Sequence, residues 1–259
     1  MISLLRHEFF KLFRNRAVQI VFIIAVLLSI GMTILMLFIP EELLGGALSG
    51  SGSIGIAAEG SEVWLILCAV IVSSIVVTEY NRGQIRNMVM SGHSRIKIFF
   101  AKYIVCLVSA VALFTVIVLV GLPITTIANG WGDDATVLQF IGMFFHVLLQ
   151  YAAVTALILF IADLTRSTGA ALGANIGLIL IFIIIGSLGV RVEIDGEVIV
   201  AGNRVLEFIG DLYVGVLAMR VATPDLTAIK IIQYIATAVV TTAIALIGGA
   251  FLFKRRDLK

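Results

Sequence analysis

Charged residues are scarce in this sequence. Only 13% of its 259 residues are charged, whereas 61% are hydrophobic, and the mean hydropathy is +1.15. A soluble domain of this length keeps roughly a quarter of its residues charged. Too few charges remain to cover a surface that faces water. The composition therefore excludes an ordinary soluble domain and indicates a membrane protein.

Cysteine and the usual catalytic motifs are equally scarce. The two cysteines, Cys68 and Cys106, fall in apolar runs, where we expect small core residues rather than a disulfide or a metal site. The three histidines are scattered, and no P-loop sequence for ATP binding (Gly, four residues, then Gly-Lys-Ser/Thr) occurs. We expect no enzyme, metal or cofactor on this chain, and no nucleic-acid partner.

Six long apolar runs make up most of the chain. A helix that crosses a hydrocarbon core needs roughly 20 apolar residues. These runs are continuous rather than alternating, so they predict helices and not a barrel. The predicted fold class is an all-α integral membrane protein, with one transmembrane domain over residues 1–259. The six predicted transmembrane helices cover residues 17–39, 57–77, 103–128, 137–162, 169–189 and 231–253.

The second run is the weakest of the six. Its uninterrupted apolar part, 63–77, has only 15 residues, and Glu59 and Glu62 precede it. A partly buried or interfacial segment therefore remains an alternative to a full span at this place.

The distribution of charge predicts the orientation, because the cytoplasmic loops of membrane proteins are rich in Lys and Arg. With six spans and the N-terminus inside, the inner segments hold 14 of the 18 Lys and Arg residues. The outer segments hold 12 of the 16 acidic residues. Both termini are accordingly predicted to be cytoplasmic.

The N-terminal segment, residues 1–16, predicts an amphipathic helix that lies in the membrane interface. At 100° per residue one face is apolar and the opposite face is polar. The apolar face consists of Ile2, Leu5, Phe9, Leu12 and Phe13, and the polar face of Ser3, His7, Lys11 and Arg14.

The outer segment, residues 190–230, predicts a hairpin followed by short helices. Polar and apolar residues alternate over 191–194 and 197–200 around Asp195-Gly196, which is typical of a tight β-turn. Asn203 is expected to cap a short amphipathic helix, and Thr223-Pro224 to begin the helix that leads into the last span. In the third span, Pro123 predicts a kink or an end.

The inner loop between spans two and three, residues 78–102, is the most informative segment. It predicts a short helix that ends at Ser91-Gly92, and then a helix capped by Ser94 that continues into span three. The first helix has an apolar face, which would fit a hydrophobic groove on a partner. The apolar residues are Ile85, Met88 and Val89, with Arg82 and Arg86 at the flank. The alternative is a basic loop that touches anionic lipid headgroups.

This loop resembles that of the permease subunits of type-2 ATP-binding-cassette (ABC) exporters. The amphipathic N-terminal helix, the six spans and the outer helices before the last span are similar to that family as well. Two departures from the loop pattern are Gln84, where Thr is common, and Val89-Met90, where Leu is usual. The resemblance implies that the residues which couple the permease to the ATPase are Glu79, Gly83, Ile85, Arg86, Met88, Val89, Arg95 and Lys102.

The resemblance also implies a function and partners. The chain would be the permease of an ATP-driven exporter in a bacterial cell membrane, with ATP and Mg²⁺ bound by a separate ABC ATPase subunit. A second permease subunit, identical or related, would complete a dimer in the lipid bilayer. The expected substrate is hydrophobic or amphipathic, and a peptide is the main candidate, as in antimicrobial-peptide export or immunity.

Polar residues are rare within the spans. Such residues usually face the helix bundle or a cavity, since a polar group in lipid is costly. We expect them to form hydrogen bonds between helices, with contact to the substrate as the alternative. They are Gln139, His146, Gln150, Asn175 and Gln233.

Two other classes of function remain open. An ion- or proton-coupled carrier usually keeps an ionisable group near the middle of the membrane, and here only His146 is available. A non-transporting membrane protein, for example an intramembrane serine protease, could use Ser73 or Ser74 with His146, although no flanking motif supports this.

Overall fold

The computed structural model describes residues 2–39, 49–54, 57, 61–81, 83–132, 135–165, 167–188, 191–194, 197–200 and 228–255. Helices dominate this part of the chain. They are α1 (Ile2–Arg14), α2 (Arg16–Leu37), α3 (Ser61–Asn81), α4 (Gln84–Met90), α5 (Arg95–Asn129), α6 (Val137–Leu164), α7 (Thr168–Leu188) and α8 (Ala228–Arg255). Strands β1 (Arg191–Ile194) and β2 (Glu197–Val200) form an antiparallel pair.

A helix coincides with each of the six predicted spans. Within the described residues, α2, α5, α6 and α8 are long and apolar enough to cross a membrane. The bent pair α3 and α4 would supply a fifth crossing if taken together, whereas the apolar part of α7 is shorter. Four to five candidate spans are therefore present, and the six-span topology stays a prediction.

The centre of the bundle is formed by α3, α5 and α6, which contact one another and most of the remaining helices. Helix α2 packs on α5 and α3, α7 packs on α3 and α6, and α8 packs mainly on α6. The outward faces of α2 and α8 are strongly apolar, as shown by Ile23, Leu27, Val240 and Ile247. Apolar faces of this size are typical of helices that contact lipid or another membrane helix.

The contact of α8 with its neighbours depends on small residues. A Cβ atom at Gly249 would lie 2.6 Å from Cζ of Phe99, which is itself fully buried. We expect Gly249→Ala to destabilise the protein by about 1–3 kcal/mol, because the buried ring would have to shift within a packed core. The measurement is the thermal unfolding of the purified protein in detergent. Gly142→Ala is the matched control, since a Cβ atom there meets nothing within 4 Å.

Helix α1 was predicted to lie in the membrane interface, and its helical range is close to the prediction. Leu4, Glu8 and Leu12 follow one another at four-residue spacing and are buried against the rest of the chain, mainly α5. Phe13, which was assigned to the apolar face, is 72% exposed. Part of that face therefore packs on the protein itself, and the interfacial location stays a prediction.

The outer side agrees with the prediction in part. The two strands have the predicted bounds and pair as a hairpin, while Asp195-Gly196, the helix capped by Asn203 and Thr223-Pro224 lie outside the described residues.

Helix α5 does not end at Pro123 but continues to Asn129. The Thr125 and Thr126 hydroxyls donate to the carbonyl oxygen of Leu122 at 3.1 and 2.7 Å.

Candidate functional site

The loop between α3 and α5 is built around two left-handed glycines. Gly83, with φ 64°, separates α3 from α4, and Gly92, with φ 86°, follows the end of α4. Glycine adopts this conformation without steric cost, which explains both positions. The Ser94 hydroxyl accepts a hydrogen bond from the Lys97 amide and caps α5, as the sequence predicted. The result is one short helix held between two long ones.

The apolar face of α4 is buried, whereas the sequence predicted that it would be exposed. Ile85 and Met88 are 1% and 8% exposed, because they pack against this chain rather than lying open to a partner. Val89 is partly buried against the same core. The exposed face instead presents Arg86, Asn87 and Met90, of which Met90 is 68% exposed. Any partner of α4 therefore meets a mixed basic and apolar surface.

A buried ionic cluster lies where the loop joins its two long helices. Glu79, at the end of α3, pairs with Lys102 of α5 at 2.5 Å and with Lys11 of α1 at 3.1 Å. Lys11 also approaches Glu8 at 3.5 Å, and Asp163 of α6 interacts electrostatically with Lys102. We call these five residues the ionic cluster. It connects the start of the loop, the end of the loop and the N-terminal helix at one point.

The charges of the ionic cluster do not balance when all five groups are ionised. Three carboxyl groups face two ammonium groups, and four of the five side chains are buried. One bound proton would make the cluster neutral. Burial, and next the negative charge of Glu79, raise the pKa of Glu8 from 4.5 to about 7, although Lys102 and Lys11 oppose the shift. Glu8 is therefore the group expected to hold that proton.

This pKa makes stability depend on pH. The folded protein binds the proton of Glu8 more tightly than the unfolded chain does, so its stabilising effect is complete below pH 4.5 and disappears as the pH rises to about 7. The loss is on the order of 3 kcal/mol. We expect Glu8→Gln to remove this pH dependence and to make the variant more stable than the parent protein at pH 8. Thermal unfolding between pH 5 and pH 8 measures the effect.

Ser3→Ala provides the control for that experiment, since Ser3 is an exposed residue of α1 without a titratable group. This substitution should leave the pH profile unchanged. An unaltered profile in Glu8→Gln would place the proton elsewhere.

The structure brings together only some of the residues predicted for ATPase coupling. Glu79 and Lys102 meet in the ionic cluster, whereas Arg95 donates from Nη1 to the carbonyl oxygen of Lys254, 3.1 Å away, near the end of α8. Gly83 and Arg86 are exposed on the loop. The loop residues thus divide into two groups, one that fastens the loop to the bundle and one that forms its surface. Their role in coupling stays a prediction.

The polar residues of the spans have different surroundings. Gln139 is exposed and forms a capping box with Thr136 at the start of α6. Gln150 is buried, and its side-chain nitrogen donates to the carbonyl oxygen of Tyr234 on α8 at 3.2 Å. The Nδ1 atom of His146 lies 2.8 Å from the carbonyl oxygen of Gly142. The hydrogen bond of Gln150 is the kind of helix contact that the sequence predicted.

Of the two remaining polar residues, one is exposed and the other is fully buried. Gln233 is exposed in the first turns of α8. Asn175 is fully buried on α7, and its side-chain nitrogen and oxygen have no hydrogen-bond partner within the part of the chain that the structure describes. A buried amide without partners is costly. Asn175 thus lacks, within the described residues, the hydrogen bond between helices that the sequence predicted, and contact with the substrate stays the alternative.

Three members of the ionic cluster were not predicted as site residues, namely Glu8, Lys11 and Asp163. A signal for Glu8 existed in the sequence, because it lies midway between Leu4 and Leu12 on one helical stripe. A carboxylate within an apolar stripe needs a buried partner. Lys11 lies only three residues further along the same helix and approaches Glu8. The sequence did not indicate Glu79 and Lys102 as further members, because they are distant along the chain.

The comparison with known families fits this arrangement. The sequence model of a family described as ABC-2 family transporter protein matches residues 4–186 of the chain. The matched part contains all five residues of the ionic cluster and the whole of α4. A search among curated proteins finds no match.

Proposed function

Since the chain belongs to the ABC-2 family of transporter proteins, we propose that it is the membrane-spanning permease subunit of an ATP-driven exporter. A permease of this family is a multi-pass membrane protein and not itself an ATPase, and the family implies a separate ATPase partner. The observation that carries the proposal is the geometry of α4. This short helix is fastened by its buried side to the bundle and presents Arg86 and Met90 outward.

The coupling mechanism follows from how α4 is attached. Binding of ATP and Mg²⁺ to the partner draws two ATPase subunits together, and their contact with Arg86, Asn87 and Met90 moves α4. Because Glu79 and Lys102 pair at the root of the loop, α3 and α5 follow that movement as a unit. A ligand can shift a two-state bundle only by its difference in affinity for the two states. Binding of ATP therefore favours one of the two states, and the movement of α4 transmits this preference to the transmembrane helices.

The transported substrate is proposed to be hydrophobic or amphipathic, with a peptide as the first candidate. Few polar groups lie inside the described part of the bundle to bind a hydrophilic solute, and Asn175 is one of the buried side chains there without a hydrogen-bond partner. A second permease subunit, identical or related, would cover part of the apolar outer faces of α2 and α8. We place the complex in a bacterial cell membrane with both termini cytoplasmic, which the distribution of basic residues supports.

Reconstitution with the ATPase tests the proposal. The chain is co-purified with a candidate ABC ATPase from the same organism and placed in inside-out vesicles with fluorescent hydrophobic peptides of several sequences. We expect accumulation that requires ATP and that stops when the catalytic carboxylate of the ATPase is replaced. Accumulation that persists without ATP, and stops when the proton gradient is removed, would establish a secondary carrier instead.

A further inference from the structure

A cleft opens where α1 meets α2 and α3, beside the ionic cluster. Its volume is about 590 Å³. Three positively charged side chains line it, together with hydroxyl, amide and apolar groups. The lining residues that matter here are Phe10, Lys11, Arg14, Arg16, Ser74 and Ile75.

Two of the three positive charges have no compensating carboxylate within the part of the chain that the structure describes. Arg14 and Arg16 are both exposed, and neither pairs with a carboxylate of the described residues. The acid of the lining, Glu79, is already bound to Lys102 and Lys11. The cleft therefore carries an excess of positive charge beside the first candidate span. Charge complementarity favours an anionic occupant.

The rest of the lining is suited to a hydrocarbon chain. Phe10 is 59% exposed at the rim, the Arg14 guanidinium lies 5.3 Å from the centre of its ring, and Ile75 of α3 forms part of the wall. The Ser74 side chain and that of Thr78 add hydroxyl groups. A free anion would use only the charged half of this cleft. A lipid uses both halves, because its phosphate and its acyl chain are joined.

We propose that this cleft binds one anionic phospholipid, with its phosphate between Lys11, Arg14 and Arg16 and an acyl chain along Phe10 and Ile75. The site has a structural consequence for the loop. Lys11 and Glu79 line the cleft and also belong to the ionic cluster. The bound lipid therefore contacts the point at which α1, α3 and α5 are fastened together, and it stabilises α1 in its docked position.

Native mass spectrometry of the purified chain tests the site directly. Phosphatidylglycerol is titrated into the protein in a mild detergent, and bound lipid is counted from the mass adducts. We expect one retained lipid in the parent protein. Binding should weaken about fivefold for Arg14→Gln or Arg16→Gln and roughly 25-fold for the double variant. The variant with Arg14→Lys and Arg16→Lys should bind as the parent does.

Matched controls separate this site from general attraction to a basic surface. Arg6→Gln removes an exposed charge of α1 at a residue outside the cleft, and should leave the lipid bound. Phosphatidylcholine with the same acyl chains should bind at least tenfold more weakly, and millimolar inorganic phosphate should not displace the lipid. Equal loss in Arg6→Gln, equal binding of the zwitterionic lipid, or displacement by phosphate would each overturn the proposal. None of these readouts depends on ATPase activity or transport.

Discussion

Replacing Lys102 with methionine is expected to lower the free energy of unfolding by about 3–5 kcal/mol, because it leaves a buried carboxylate without its main partner. Lys102 is fully buried and pairs with Glu79 at 2.5 Å. Without it, three carboxyl groups of the ionic cluster share a single ammonium group, that of Lys11. For a chain of this size the melting temperature should fall by roughly 6–20 °C. Thermal unfolding in detergent at pH 8 measures the effect.

Lys97→Met serves as the matched control for this substitution. It removes the same charge from the same helix, but Lys97 is exposed, so the change in stability should stay within about 0.5 kcal/mol. A Lys102 variant that melts at the same temperature as the Lys97 variant would contradict a structural role for the cluster.

A double variant distinguishes the loss of a charge pair from the loss of packing. Lys102→Met combined with Glu79→Gln removes both charges of the closest pair. We expect it to recover much of the stability lost in Lys102→Met, because a neutral buried pair avoids the penalty of an isolated ion. The alternative result is that the free-energy changes of the two single substitutions add in the double variant. That result would show that the two side chains do not interact, and that Lys102 contributes mainly through its hydrocarbon stem.

The positions of the helices were largely predictable from the sequence because apolar runs of this length have few alternatives in a membrane. The strand bounds at 191–194 and 197–200 were predictable for a related reason, since alternation around Asp195-Gly196 fixes a hairpin locally. The candidate site was harder. Glu79 and Lys102 were both singled out, but as separate contacts of a partner. Their pairing depends on how the intervening loop folds back.

The inward packing of α4 shows the limit of pattern reasoning most clearly. An apolar face on Ile85 and Met88 indicates that something covers it, but not whether that is the same chain or another protein. Gln139 illustrates a second limit. It shares a helix face with His146 and Gln150 by spacing, yet its place in the first turn of α6 makes it a cap. Helical periodicity indicates on which face of a helix a side chain lies, but it does not indicate how far that side chain is from the end of the helix.

Substitutions on the exposed face of α4 are expected to have the second large effect, a loss of ATPase binding. This prediction depends on the proposed partnership with an ATPase. Arg86→Glu combined with Met90→Asp reverses a charge and removes an apolar contact from the exposed surface of α4. The few hot-spot residues of an interface, among which Arg is enriched, each cost about 2 kcal/mol or more when they are truncated. We expect binding of the ATPase to weaken more than tenfold, and permease-dependent ATP turnover to fall accordingly. Affinity measured by biolayer interferometry and turnover in nanodiscs provide the two readouts.

The melting temperature of the isolated permease distinguishes the loss of a contact with the ATPase from the loss of the permease's own structure. Because Arg86 and Met90 are exposed, the double variant should melt within about 2 °C of the parent protein. By contrast, Ile85→Asp or Met88→Asp would place a carboxylate in the buried side of α4 and unfold the loop, so these variants could not test coupling. Wild-type affinity and turnover in the variant at Arg86 and Met90 would show that the ATPase binds elsewhere. Lost turnover with unchanged affinity would instead assign α4 to transmission of the movement rather than to docking.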